Sequence, residues 1–302
     1  MKPLQRRVCV KELMRHQLAE RKSCELVGIS RTSYRYGAVE RPENEMLRTK
    51  LHEIAQEDPT AGYRPAWAYL RREGHLVNHK RVHRLWQEEG LTQPRKRKRV
   101  RHIGGSVPLK ATHVNHVWTY DFIHDRTEQG QLLRILTVED EYTREGLAVE
   151  VDRQLPAVKV KQVLTRLFAE RGAPAYLRSD QGPEFLAQEL VEWLAELEVA
   201  THHIDPGSPW QNAYGESFHA TLRRECLSRE LFHTLLEAQV GTERWRMRYN
   251  ERRPHSSLGY LTPVEFRDGV RIPLLERGRP STHQGRKQRN GKESLYLQVV
   301  QS

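Results

Sequence analysis

Three acidic residues stand in this 302-residue sequence where carboxylates could serve metal-dependent chemistry: Asp121, Asp180 and Glu216. Asp180 and Glu216 have 35 residues between them, and Asp121 lies in the earlier run HVWTYDFI. Residues far apart in sequence can meet in a fold. Carboxylate oxygens are ligands that Mg²⁺ prefers, with positions left open for a substrate phosphate. Because crowded carboxylates repel one another, a divalent cation is their natural companion, and the three acids predict a magnesium site that acts on phosphate.

Each acid belongs to, or directly follows, an element that could hold it rigidly. Residues 117–122 alternate between two faces, which predicts a strand that carries Asp121. The run AYLRS predicts a second strand that leads straight into Asp180. The segment HHIDPGSPWQNAYGE has the Pro and Gly content of a flexible loop, and it leads into a helix that carries Glu216.

The rest of the central region alternates strands and helices. LLRILTVEDEYT and GLAVEVD predict two further strands, joined by a turn near residues 143–146. An amphipathic helix is predicted from about Pro156 to Arg171, followed later by a second amphipathic helix. The run VATHHI predicts a returning strand, in which His202 and His203 are interpreted as strand residues beside the site rather than as metal ligands.

Four motifs in this region match a known family: the context of Asp121, SDQG around Asp180, NAYGESF around Glu216, and a later YN…RPH…LG…TP pattern. The last pattern consists of Tyr249, Asn250, Arg253, Pro254, His255, Leu258, Gly259, Thr262 and Pro263. In these motifs the sequence resembles the DDE catalytic core of the retroviral integrase superfamily. More narrowly, it resembles the second-reading-frame (OrfB) transposases of the bacterial insertion-sequence-three family. The resemblance spans roughly residues 22–268 and implies an α/β, ribonuclease-H-like fold, in which helical helix-turn-helix units precede a mixed five-stranded sheet flanked by helices.

The resemblance implies that the chain is a DNA transposase. Such an enzyme binds the terminal inverted repeats of an insertion sequence, cleaves at the element ends and joins the freed 3′-hydroxyl to target DNA by phosphoryl transfer. It implies that Asp121, Asp180 and Glu216 are catalytic and hold two Mg²⁺, for which Mn²⁺ can substitute. The two element ends must be brought together, so at least a dimer is expected on double-stranded DNA.

The same resemblance assigns residues near Glu216 to DNA contacts. Arg223, seven positions later, stands where the family has a basic residue that contacts DNA. Gln211 and Asn212 stand where relatives place residues near the substrate end. The later motif is expected to be mainly structural, with His255 packed in a turn that closes the core.

Charge is unevenly distributed along the chain, which has a net charge of +11. Residues 1–110 carry 25 basic and 12 acidic side chains, residues 111–268 carry 18 and 25, and residues 269–302 carry 7 and 2. A mildly acidic middle between basic arms suits a core that its neighbours deliver to DNA; a solvated basic surface is the alternative. The run PRKRKRVR is expected to lie on phosphates, and it supplies the candidate DNA contacts Arg95, Lys96, Arg97, Lys98 and Arg99.

The N-terminal region has the signature of a helix-turn-helix unit. Gly28 permits a tight turn, and Ser30 can cap a second helix. The exposed first residues of that helix, Arg31 and Thr32, would face a DNA groove or backbone. An ordinary helical hairpin is the alternative.

A second helical unit follows, with the run GYRPAWAYL…HLVNHKRVHRLWQEEGL, which resembles the helix-turn-helix unit that precedes the core in the same transposases. Its last helix carries Lys80, Arg81 and Arg84, which are candidate DNA contacts. The histidines of this segment recur every four residues, which raises a metal-binding alternative. No Glu or Cys completes a ligand set, so a DNA-facing basic surface is favoured. The histidines are His75, His79 and His83.

These features predict five segments. They are a helix-turn-helix at 1–40, a second helical domain at 41–93, a basic linker at 94–110, the catalytic core at 111–268 and a basic, flexible tail at 269–302. Three cysteines without a CxxC pair, and the lack of a long apolar run, predict a cytoplasmic protein with no membrane partner. The resemblance implies a bacterial, nucleoid-associated protein. In the resembling family the upstream frame (OrfA) often supplies further DNA-binding parts by frameshift fusion, so OrfA is a candidate partner.

Two other functions fit parts of the sequence. A stand-alone magnesium-dependent nuclease of this fold would cut DNA without joining ends. A non-catalytic DNA-binding regulator or element relic would need no acids, and the presence of all three acids argues against it.

Overall fold

The computed structural model divides the chain into two compact units, residues 1–49 and 50–302. No helix in the described part of the chain is long and apolar enough to span a membrane. The structure describes residues 3–36, 42–93, 109–179, 188–203 and 212–272.

The first unit contains three short helices: α1 (Pro3–Arg15), α2 (Glu20–Val27) and α3 (Arg31–Arg35). Gly28 ends α2 with a φ of 69°, a left-handed conformation that glycine adopts without strain. The Ser30 hydroxyl then accepts a hydrogen bond from the backbone N–H of Ser33 at 3.1 Å and caps α3. The predicted turn and cap are therefore confirmed.

The second unit begins within α4 (Glu43–Glu57) and continues with α5 (Tyr63–Arg72) and α6 (His79–Glu88). The helices pack through an apolar core that includes Val82, Leu85 and Trp86. Asn78 accepts a hydrogen bond from the N–H of Lys80 at 2.8 Å, which fixes the start of α6. The indole N–H of Trp67 donates to the carbonyl of Val77 at 2.9 Å and ties α5 to the turn before α6.

A mixed five-stranded sheet forms the centre of the second unit, in the order β3-β2-β1-β4-β5. The first three strands are antiparallel neighbours, whereas β4 and β5 run parallel to β1. The predicted ribonuclease-H-like fold with a five-stranded mixed sheet is confirmed. The strands are β1 (Val117–Arg126), β2 (Leu132–Asp140), β3 (Gly146–Asp152), β4 (Tyr176–Ser179) and β5 (Ala200–His203).

Helices cover both faces of this sheet because successive side chains of each strand point to opposite sides. Trp118 and Tyr120 of β1 pack in the apolar cluster under α7 (Ala157–Arg171) and α8 (Gln188–Glu196). Ile123 points to the opposite face and packs in the cluster under α9 (Ala213–Leu222) and α10 (Leu235–Glu251), which also contains Phe218 and Trp245. A short helix, α11 (Pro263–Arg267), follows α10.

Candidate active site

Asp121 lies in the middle of β1, on the face of the sheet that α9 covers. Its position has the parity of Ile123, which packs under α9. The Asp121 Oδ1 atom accepts a hydrogen bond from the N–H of Phe122 at 2.7 Å. Thr137 is the directly opposite residue on β2, so the two side chains share one face of the sheet. Asp121 is therefore held on a rigid central strand, as the sequence predicted.

Two glycines allow α9 to approach the sheet closely. A Cβ atom added to Gly215 would lie 3.0 Å from Thr119 Cγ2 and 2.7 Å from Asn212 Oδ1. A Cβ atom added to Gly146, at the start of β3, would lie 2.8 Å from the ring of Phe218. Distances below 3.0 Å are essentially never seen for real Cβ atoms, and 3.0 Å is tighter than most contacts, so a side chain at either position would force its neighbours to shift.

Two contacts identify the face of α9 that lies nearest to Asp121. The Asn212 Nδ2 atom donates a hydrogen bond to Asp121 Oδ2 at 3.0 Å, and His219 Nδ1 lies 3.8 Å from the same oxygen. Glu216 stands four residues after Asn212 and three before His219, so it belongs to the same helix face. Helical periodicity therefore assigns Glu216 to the side of α9 that makes these two contacts with Asp121.

Asp180, the third predicted acid, lies outside the described residues, and so does Gln211. In the sequence Asp180 directly follows Ser179, the last residue of β4. Among the described residues no group of three or more metal-binding side chains comes together. Asp121 and Glu216 are hard oxygen donors held on a strand and a helix, with a neutral amide and an imidazole as neighbours. This donor chemistry fits Mg²⁺.

His219 is a site residue that the sequence analysis missed. Its Nε2 atom lies 2.6 Å from the Thr137 hydroxyl, which also lies 3.1 Å from the backbone carbonyl oxygen of Asp121 and can donate to it. Burial, together with the positive charge of Arg223, lowers the pKa of His219 to about 4, so the imidazole is neutral at physiological pH. The available signal was its position three residues after Glu216, one helical turn along the same face.

A buried polar network supports the strands that carry the site. The guanidinium of Arg178, in β4, donates to Glu141 Oε1 at 2.5 Å and to the carbonyl of Leu109 at 2.7 Å. The Thr119 hydroxyl of β1 donates to the same Glu141 oxygen. Arg178 and Glu141 are 1% and 0% exposed. Burial raises the pKa of Glu141, an effect that Arg178 opposes. The network therefore links β4 to β1 and to the turn after β2.

The candidate DNA contacts of the first unit lie at the start of α3. Arg31 and Thr32 are both exposed. The Arg31 guanidinium also donates to Glu20 at 2.8 Å, and Arg35 binds the same carboxylate at 2.9 Å. These ion pairs lower the pKa of Glu20 and join α3 to α2.

The candidate DNA contacts of the second unit are less uniform. Lys80 and Arg84 are exposed on α6, and Arg81 is half-buried. Arg223 is exposed at the C-terminal end of α9. Asn212 is buried and donates to Asp121, so its side chain supports the acid at the site. The basic run Arg95, Lys96, Arg97, Lys98 and Arg99 lies outside the described residues.

The histidines around α6 make aromatic contacts. The ring centroid of His83 lies 4.2 Å from that of Tyr63, and that of His79 lies 6.2 Å from that of Trp67. His75 lies 3.7 Å from the carboxylate of Glu73. No metal cluster forms among the described side chains of this segment.

Comparison with known families matches three segments of the chain. A model described as an HTH-like domain matches residues 42–99. Two models described as integrase core domains match residues 111–209 and 197–263. An integrase core behind a helix-turn-helix-like domain defines the class: a polynucleotidyl transferase of the transposase and integrase type, which acts on DNA.

Two curated relatives narrow the class. The chain is 41% identical over 250 residues to a 31.7 kDa protein of insertion element IS407 from Burkholderia multivorans, covering 82% of this chain and 90% of that protein. It is 36% identical over 266 residues to a 39.2 kDa protein of insertion element IS476 from Xanthomonas euvesicatoria, covering 87% and 77%. The chain belongs to the insertion-sequence-three family of bacterial transposases, of the second-reading-frame type.

Among solved structures, the chain is similar to a chain of the simian T-cell lymphotropic virus intasome in complex with the PP2A regulatory subunit B56 gamma. The two are 15% identical, the match covers 79% of this chain and 80% of that chain, and the TM-score is 0.48.

Proposed function

We propose that the chain binds the terminal inverted repeats of its insertion sequence, cleaves at the element ends and joins the freed 3′-hydroxyl to target DNA. The observation that carries this proposal is that Asn212 and His219 lie 3.0 and 3.8 Å from the Asp121 carboxylate of β1, on the helix face to which Glu216 also belongs. An acid on a central strand and an acid on a closely packed helix, within the family's motifs, suit phosphoryl transfer.

Asp180 is the third acid of this proposed site. Thr119 of β1 is paired in parallel with Arg178 of β4, and Asp121 and Asp180 each follow two residues later in the chain. Side chains two residues apart along a strand point to the same face, so Asp121 shares a face with Thr119, the residue paired with Arg178. This register supports placing Asp180 beside Asp121.

Asp121, Asp180 and Glu216 would hold two Mg²⁺. When bound, these ions would activate the attacking oxygen and stabilise the leaving 3′-oxygen. The chain's own part is orientation: Asn212 holds one oxygen of Asp121 through a hydrogen bond, and Thr137 can donate to its backbone carbonyl. A carboxylate that is fixed before the substrate arrives needs no reorganisation during the reaction.

DNA binding is proposed to involve surfaces outside the acid site. Lys80, Arg81 and Arg84 of α6 would contact the terminal repeat, together with Arg31 and Thr32 of the first unit. Arg223 and Gln211 would contact DNA near the acids, and the basic run 95–99 would lie on phosphates. Each phosphate neutralised by a basic side chain releases a counterion, so binding should weaken steeply with salt. Two copies, with or without the upstream-frame protein, would hold the two element ends.

The stand-alone nuclease is the second candidate, because the same acids would cut DNA without joining it. The test is a reaction with a labelled duplex that carries the terminal repeat, a supercoiled target plasmid and Mg²⁺. The proposal predicts labelled plasmid in which the repeat end is covalently joined. Cut repeat without joined product would favour the nuclease, and repeat binding without cutting would favour a DNA-binding regulator or a requirement for the upstream-frame protein. Adding that protein separates the last two outcomes.

A further inference from the structure

The YN…RPH…LG…TP motif forms a compact platform after α10. The N–H of His255 donates to the carbonyl of Leu261 at 2.9 Å, which closes a short loop. Gly259 in this loop has a φ of 68°. The Thr262 hydroxyl accepts from the N–H of Glu265 at 3.2 Å, and Glu265 accepts in return from the N–H of Thr262 at 2.8 Å. This capping box fixes the Glu265 carboxylate at the first turn of α11.

Arg72, the last residue of α5, inserts its guanidinium into this platform. Its Nη1 and Nη2 atoms lie 2.5 Å from Glu265 Oε1 and 2.5 Å from Glu265 Oε2, respectively. The Nη2 atom also donates to the carbonyl of Tyr260 at 2.9 Å. The Arg72 and Glu265 side chains are 19% and 22% exposed. A bidentate ion pair of this kind fixes both the distance and the relative orientation of the two side chains, which a lysine could not do.

Other contacts join the same two parts of the chain. The ring of Trp67 meets that of Tyr260 edge to face, with centroids 5.3 Å apart. On α10, the Arg248 guanidinium donates to the carbonyl of Glu57 at 3.2 Å and lies 3.6 Å from Asp58. The helix-turn-helix-like segment is therefore held by two elements of the core, α10 and the platform.

We propose that Arg72 is a positioning residue that locks the helix-turn-helix-like segment to the catalytic core, so that α6 stands at a fixed distance from the acids. The distance between the repeat position gripped by α6 and the cleaved phosphate is then set by this contact. The inference rests on the proposed function, because it assigns α6 to the repeat and the acids to cleavage. The inference gives the YN…RPH…LG…TP motif a role beyond that of ending the catalytic core.

The test measures repeat binding and the position of each cut, at nucleotide resolution, for the wild-type chain and for Arg72→Ala. A small displacement of a reacting group can lower the rate about a hundredfold, so a loss of that order is expected at the element end. The remaining cuts should spread to neighbouring phosphates, while repeat binding stays within about threefold, a difference worth less than 1 kcal/mol.

Glu265→Gln should behave like Arg72→Ala, because it keeps an oxygen that can cap α11 but loses the charge. The cleavage rate of Arg72→Lys should lie between those of the wild-type chain and Arg72→Ala. The double variant Arg72→Ala with Glu265→Gln should cut as fast as the slower of the two single variants, because both substitutions remove the same contact. Arg166→Ala is the matched control, because it removes an Arg–Glu pair of 3.0 Å between α7 and β3 that does not touch the helical segment.

Two results of the cleavage assay would overturn the inference. One is a folded Arg72→Ala chain that cuts the wild-type phosphate at the wild-type rate, and the other is full additivity of the two single losses. Hydrogen exchange without DNA tests the contact between the helix-turn-helix-like segment and the core by itself. Arg72→Ala and Glu265→Gln should speed amide exchange in α5 and in residues 258–267. Arg166→Ala should leave exchange there unchanged. Unchanged exchange in Arg72→Ala and Glu265→Gln would also overturn the inference. If the wild-type chain cuts no repeat even when the upstream-frame protein is added, the proposed function fails, and the exchange measurement still decides whether Arg72 holds the helical segment to the core.

Discussion

The side-chain amide of Asn212 donates a hydrogen bond of 3.0 Å to the Asp121 carboxylate, so a residue predicted to contact DNA supports an acid of the site. Replacing Asn212 by Ala leaves Asp121 Oδ2 without this donor. Losses of about 10–100-fold in metal affinity or activity are typical when the partner of a metal ligand is removed. We expect Asn212→Ala to need more Mg²⁺ for half-maximal cleavage, with unchanged repeat binding. Gln188→Ala, at an exposed position of α8, is the control. Weakened repeat binding at an unchanged Mg²⁺ requirement would assign Asn212 to DNA after all.

The contact between His219 Nε2 and Thr137 predicts how His219 can be replaced. The amide of Gln extends about as far as Nε2, whereas that of Asn extends only as far as Nδ1. We expect His219→Gln to retain more cleavage activity than His219→Asn, and Thr137→Val to lower activity to a similar degree as His219→Asn, because both break the same hydrogen bond. Single-turnover cleavage rates are the measurement. If Asn proved the better replacement, the Nδ1 side facing Asp121 would be the important one.

Gly215 predicts a variant that keeps its fold but misplaces Glu216. In a helix interior, alanine is more favourable than glycine by about 1 kcal/mol of free energy. At Gly215, however, the added Cβ would meet Thr119 at 3.0 Å and Asn212 at 2.7 Å. We expect Gly215→Ala to shift α9 away from β1 and lower cleavage about a hundredfold. Gly62→Ala, where a Cβ has no neighbour within 4 Å, is the control. Equal cleavage by both variants in a kinetic assay would show that α9 tolerates the methyl group.

The buried pair of Arg178 and Glu141 predicts a stability effect. Removing one partner of a buried ion pair typically costs about 3–5 kcal/mol, because the other charge is left without compensation. We expect Glu141→Leu to lower the free energy of unfolding by about that amount, and Arg178→Met with Glu141→Leu to recover much of the loss. Urea unfolding followed by circular dichroism measures both. A double variant less stable than Glu141→Leu would mean that the hydrogen bonds to Thr119 and Leu109 outweigh the cost of burying the charges.

Local patterns were sufficient to predict much of the fold from the sequence. Alternation along residues 117–122 reports a strand because side chains of a strand point to opposite faces. Gly28 and Ser30 could be assigned because turn and cap chemistry depends on neighbouring residues only. The predicted strand carries Asp121 and the predicted helix carries Glu216, as the structure has them.

The contacts that support the site could not be predicted in this way. Thr137 lies opposite Asp121 only because of the register between β1 and β2, and His219 reaches it from 82 residues away in the chain. Arg72 and Glu265 are 193 residues apart. Sequence periodicity reports on one element at a time, so it cannot predict which residues of distant elements come into contact.

The central claim is that Asp121, Asp180 and Glu216 act together in metal-dependent cleavage. The most direct measurement is the rate at which Asp121→Asn, Asp180→Asn and Glu216→Gln cut a terminal-repeat duplex in Mg²⁺. Glu196→Gln, at an exposed position of α8, is the control. We predict that each of the three substitutions abolishes cutting and joining while repeat binding stays within about threefold, a difference of less than 1 kcal/mol. The control should cut like the wild-type chain. A folded variant of any of the three acids that cuts the repeat at the wild-type rate would contradict the claim.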